Sequence, residues 1–194
     1  MPTSLRSLAF AGTALLAAVL QPAAAQQPVP AQSVPAPASD RVELSDLQEV
    51  QQLMAAGQFK PALARADAHL AKNPRDAQMR FVRGVILSEL KDTAGAREVF
   101  ERLTEEYPEL PEPYNNLAVI DASRGQLQRA RTLLETALAI RPDYVTALEN
   151  LGDIHLQLGV DAYQRAAKLQ PGNRNLGSKL SLSRELLSKT RITP

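Results

Sequence analysis

The sequence predicts an all-α solenoid of stacked helix pairs, and three observations carry that prediction. Pro74, Pro108 and Pro142 are evenly spaced and define a period. Twelve residues before each proline is an alanine (Ala62, Ala96, Ala130), and eight before each is an apolar residue (Ala66, Phe100, Leu134). Twenty-four before each is a small or slim residue: Val50, Gly84 or Ala118. Columns in phase at one period set the architecture, because each repeat buries its apolar face on its neighbours. From Asp40 onward the chain is rich in Ala, Leu, Gln, Arg and Glu, all good helix formers.

The first segment predicts a cleaved export signal over residues 1–25. Arg6 supplies positive charge, an apolar run follows from Leu8 to Leu20, and Ala23 and Ala25 suit a signal peptidase. Thirteen helical residues rise only about 20 Å, short of the roughly 30 Å of a bilayer core. Cleavage before Gln26 therefore leaves no stable membrane insertion, and with no Cys in the chain there is no thiol for a lipid anchor. Removing Arg6 from the 22 basic residues leaves 21 against 21 acidic ones, a net charge of zero. That balance lacks the basic field needed for nucleic-acid binding. The predicted location is the periplasm, with release to the medium as the alternative.

Residues 26–40 hold four prolines and little to bury. They predict an extended, semi-rigid linker. The helical domain is placed over 41–190, with repeats at 43–76, 77–110 and 111–144, a shortened unit at 145–172 and a cap helix at 174–189. In the third repeat, Tyr114, Leu117, Ala118 and Ile120 mark one helix over 111–124. After Gly125, Ala130, Leu133, Leu134, Ala137 and Leu138 mark a second that stops at Arg141-Pro142. The earlier repeats break at Gly57 and around Asp92-Thr93.

The fourth unit reaches Pro171 five residues early. Either Gly159 ends its first helix and a stunted second follows from Asp161, or one helix runs from about Val145 to Gln170. The stripe Leu148, Leu151, His155, Leu158, Ala162, Ala166 and Leu169 favours the continuous helix. A last helix with Leu176, Leu180, Leu182, Leu186 and Leu187 is expected to cover the end of the array with its polar side outward.

This order of small residue, turn, alanine, bulky residue and proline resembles the tetratricopeptide repeat (TPR). The segments GQFKPALARADAHLAKNP and YNNLAVIDASRGQLQRARTLLETALAIRP carry the resemblance, which extends over residues 43–171. It implies a TPR-type α-solenoid of about three and a half helix pairs plus the capping helix. His69 and Leu103 depart from it in a column usually alanine, and Asp121 departs where an aromatic is usual; loose packing or an edge is expected there. His155 falls in a core column.

Catalysis is not expected. Cys is absent, His69 and His155 lie in different repeats, and the glycines fall singly. No nucleophile, base and orienting group converge, and no cofactor or metal site is indicated. The resemblance implies instead a protein-binding groove lined by the first helix of each pair. Its inward columns map to Leu44, Leu47, Gln51 and Met54, then Phe81, Val85 and Glu89. Asn116, Val119 and Ser123 follow, then Asn150, Asp153 and Gln157. Such a groove is apolar at its N-terminal end and polar to acidic at its C-terminal end. Asn116 and Asn150 are expected to point into it and hydrogen-bond a bound backbone. The basic clamp with which cytosolic TPR co-chaperones hold a terminal carboxylate is not expected, since Leu47, Gln51, Val82, Glu112 and Asn116 include no Lys or Arg. The expected role is a non-catalytic scaffold or adaptor of the bacterial cell envelope, binding a protein or peptide segment. The alternatives are a structural subunit of an envelope complex or an accessory factor of an envelope enzyme.

Overall fold

The computed structural model describes residues 45–189. The predicted leader, the proline-rich linker and Leu44 lie outside the described residues. Those residues form eight helices and no strand: α1 (Asp46–Ala55), α2 (Phe59–Lys72), α3 (Ala77–Glu89), α4 (Thr93–Glu106), α5 (Pro111–Ser123), α6 (Leu127–Ile140), α7 (Val145–Leu169) and α8 (Arg174–Leu187). Each helix packs mainly on its neighbours in sequence, and α5 also meets α7. That nearest-neighbour order defines a solenoid.

Local chemistry sets the boundaries. Ser45 and Gln48 form a reciprocal capping box at α1. Asp76, Asp92 and Asn173 accept from the backbone N–H of Met79, Gly95 and Leu176, capping α3, α4 and α8. Pro111 opens α5, where its missing N–H costs nothing. The intra-pair turns fall at Gly57, Lys91 and Gly125, each one period after the last, with φ of 70°, 65° and 73°. This left-handed region suits glycine and strains Lys91.

The periodic columns are the core. Ala62, Ala96 and Ala130 are fully buried, as are Ala66, Phe100 and Leu134. A Cβ on Gly84 would fall 2.6 Å from the Phe100 ring. Only glycine lets the two helices of that pair approach so closely.

Three expectations are corrected. Asp121 is neither loosely packed nor at an edge: it is fully buried, and its Oδ1 accepts from Arg97 Nη1 of α4 at 2.5 Å. Leu103 is likewise fully buried. His69 fills its column as a polar bridge. Its Nδ1 lies 2.7 Å from Asp46 Oδ2 on α1, and its Nε2 lies 2.9 Å from Asp76 Oδ2 at the cap of α3.

The hydrogen bond to Asp46 raises the His69 pKa, with a further push from Asp76 against the opposing effect of burial. A raised pKa in the folded state gives stability that is complete below the ordinary value of 6.5 and is lost as pH climbs through the raised one. The denaturation midpoint is expected to be higher at about pH 5.5 than at about pH 8.5, and His69→Gln should flatten that difference. An unchanged slope in His69→Gln would remove the bridge from the account.

The fourth unit adopts the continuous helix. Gly159 stands one period after the turn glycine Gly125, yet it lies inside α7 with no left-handed φ. The stripe expected to bury α7 does so only in part: Leu151 and Leu158 pack on the core cluster around Ala147 and Ile154, and its other members do not join that cluster. Ala147, Asn150, Ile154 and Val160 are buried, whereas His155 is exposed and Leu148 and Leu169 are 49% and 84% exposed. The second helix that would cover that stripe continues straight on. The cap is also incomplete. α8 buries no residue fully, because its leucines divide between two faces; Leu176, Leu180 and Leu187 are half-buried while Leu182 and Leu186 are exposed.

Candidate functional site

The first helices of the pairs (α1, α3, α5, α7) repeat their positions once per period, so each column forms a ladder across the solenoid. Gln51, Val85, Val119 and Asp153 make one such ladder. Gln51 is exposed and the other three are half-buried, so each presents surface to a ligand. Leu47 and Phe81, in the column one turn earlier, are half-buried. Phe81 leans on Phe100, ring centroids 5.7 Å apart, and Leu47 packs on the core cluster around Val50 and Ala62. These two pad the core and expose an apolar edge together.

The asparagine column is corrected. Asn116 is 4% exposed and its Nδ2 donates to the Glu112 carbonyl of its own helix at 2.9 Å. Asn150 is fully buried, and its Nδ2 donates to Asn115 Oδ1 at 2.8 Å, joining α7 to α5. Buried amides must find partners, and these find them within the solenoid instead of in the groove. Nothing in the sequence singles out Asn115, although it stands one period after Phe81 in the same column. It is fully buried, and among the described residues its Nδ2 has no hydrogen-bond partner.

The C-terminal end of the ladder is anionic. Burial raises the pKa of Asp153, and the neighbouring charge of Glu149 raises it further. Glu149, in the column of Leu47 and Phe81, is a second site residue that the sequence alone does not mark. Glu112 is neutralised by Arg141 Nη1 at 2.8 Å, and that guanidinium also stacks 4.1 Å from the Tyr144 ring centroid. Among the described residues no group of three or more His, Asp or Glu is arranged to hold a metal, and no helix is long and apolar enough to cross a membrane.

A row of first helices with an open ladder is the geometry of a helical-repeat binding module. Two family models match the chain, a tetratricopeptide repeat over residues 47–111 and a TPR repeat over 120–159, together just over half its length. The chain belongs to the tetratricopeptide-repeat family. No curated protein matches it by sequence.

Solved structures share the fold at low identity. The first TPR of Spaghetti (RPAP3) bound to the HSP90 peptide SRMEEVD is 16% identical with a TM-score of 0.53, covering 57% of this chain and 88% of that one. YrrB, a TPR protein with an unusual peptide-binding site, is 15% identical with a TM-score of 0.51, covering 73% and 75%. MamA from Desulfovibrio magneticus RS-1 is 16% identical with a TM-score of 0.50, covering 76% of each.

Proposed function

We propose that this protein is a non-catalytic scaffold or adaptor of the bacterial cell envelope, periplasmic once its leader is removed. It holds an extended or helical segment of a partner protein along the ladder from Gln51 to Asp153. The observation that carries this reading is the contrast between two columns. Asn116 and Asn150 are consumed inside the solenoid, whereas Gln51, Val85, Val119 and Asp153 stay accessible in register. The bound peptide of one fold neighbour and the peptide-binding site of another support the same use of the fold.

The ladder also describes its ligand. Leu47, Phe81 and Val85 favour an apolar stretch at one end. At the other, burial first and the charge of Glu149 second oppose ionisation of Asp153, so a Lys or Arg of the partner would favour its charged form. Arg141 is occupied by Glu112, so terminal-carboxylate recognition is not proposed.

Val119→Glu with Asp153→Lys should leave the far-ultraviolet spectrum intact, since both sites are half-buried and Val119, unlike Val85, packs on none of the core clusters. It should weaken the envelope partner by about 2 kcal/mol or more, a factor of roughly thirty. Full affinity in that double variant would transfer the reading to the structural-subunit alternative. Recovery of the protein from the soluble envelope fraction with Gln26 as its first residue checks the location.

A further inference from the structure

We propose that α7 is an exchange helix, through which a second copy of this chain pairs antiparallel with the first. The pairing face of α7 is distinct from the ladder proposed to hold a partner segment. The second repeat makes a packing contact that the fourth unit does not. In the second repeat Gly84 is buried against Phe100. Their counterparts in the fourth unit are Gly152, two periods after Gly84, and Tyr163, which precedes Pro171 by the same interval as Phe100 precedes Pro108. Both lie on the one straight helix α7. Eleven helical residues separate them by about 16 Å, so they cannot meet within a chain. A Cβ on Gly152 would touch nothing, and the same holds at Gly159.

The cause is a short hinge. Five residues are missing between Gly125's counterpart, Gly159, and the following proline. Those residues would have carried the chain from one helix of the pair back along the other. A hinge too short to close is a known route to exchange of an identical element between copies.

The sequence of α7 then selects its own partner. Val145, Leu148, Gly152, His155, Gly159, Ala162, Ala166 and Leu169 recur at alternate spacings of three and four, the seam of a paired helix. In an antiparallel pair related by a two-fold axis near residue 157, Val145 faces the partner's Leu169. Leu148 faces the partner's Ala166, and His155 faces the partner's Gly159. At the last two of these steps a large residue opposes a small one, and Gly152 comes within one residue of the partner's Tyr163, as Gly84 receives Phe100. Val145 and Leu169, 73% and 84% exposed, bury each other. The α8 helix does not close the seam, since Val145, Leu148, Gly152, His155, Ala162 and Leu169 all remain exposed with it in place.

The test is the mass in solution of the full chain, purified as cells process it. Sedimentation should give twice the monomer mass. Leu148→Glu should give the monomer with helicity retained. Inserting a copy of residues 126–130 after Gly159 should also give the monomer, by restoring the turn. The chain has no Cys, so Val145→Cys with Leu169→Cys reports the register. Those positions are about 36 Å apart within one helix and can form a disulfide only between copies. The oxidised double variant should run as a covalent dimer and each single variant should not. A wild-type chain that stays monomeric overturns the proposal, even if a different protein covers α7. So does a dimer that survives both Leu148→Glu and the insertion.

Discussion

Replacing Arg97 with alanine is expected to cost about 3–5 kcal/mol of folding free energy, the range for removing one partner of a buried ion pair. The Asp121 carboxylate is fully buried, and the Arg97 guanidinium from the preceding pair donates to it at 2.5 Å. The bond to Asp121 is the main reason the Arg97 pKa is raised, so the contact favours the charged guanidinium. Without Arg97 the remaining cation is Arg129, whose Nε is 3.4 Å from the other oxygen on a side chain 63% exposed. It makes a weak substitute. Arg102→Ala is the control, because it breaks only the exposed pair with Glu98 and should cost no more than about 0.5 kcal/mol. Denaturant midpoints that coincide for the two variants would mean that Asp121 is not held as described.

Phe100→Ala is the second large effect, expected at about 3–5 kcal/mol. The ring is fully buried, fills the space that Gly84 leaves, and supports Phe81. Its removal cannot be absorbed by collapse, since Gly84 has no side chain to move into the cavity. A solenoid is held by intrinsic repeat stability and the interfaces between neighbours. The variant should therefore unfold in two steps, with repeats three and four melting apart from the first. A single transition with a loss under about 1 kcal/mol would show that the second repeat is not the structural link assigned to it.

The periodic part of the fold was legible because every column reflects a local steric demand. Proline stops the second helix, alanine allows close approach, and Gly57 and Gly125 supply left-handed turns. The continuous α7 was legible as the favoured of two readings, but its orientation was not. Leu151 and Leu158 of the stripe reach the core, whereas Leu148, His155 and Leu169 would be covered only if a second helix folded back. That depends on five absent residues. Asp121 and His69 were visible as misfits, whereas their partners Arg97, Asp46 and Asp76 come from other helices and no local pattern marks them. The placement of the columns on the first helices was legible. The ladder of Gln51, Val85, Val119 and Asp153 lies where the repeat phase puts it. Asn116 and Asn150 were misread because a buried amide and a groove amide occupy the same phase. Only the packing of α5 against α7 separates them.

Site-specific photocrosslinking in the native cell tests most directly whether the ladder holds a partner. A photoreactive residue replaces Val85, Val119, the exposed Gln128 of α6 or the exposed Leu186 of α8 in turn. Positions 85 and 119 should capture one and the same protein, and position 128 should capture none. Capture of that protein from position 186 or 128, with positions 85 and 119 silent, would contradict the groove as the binding surface.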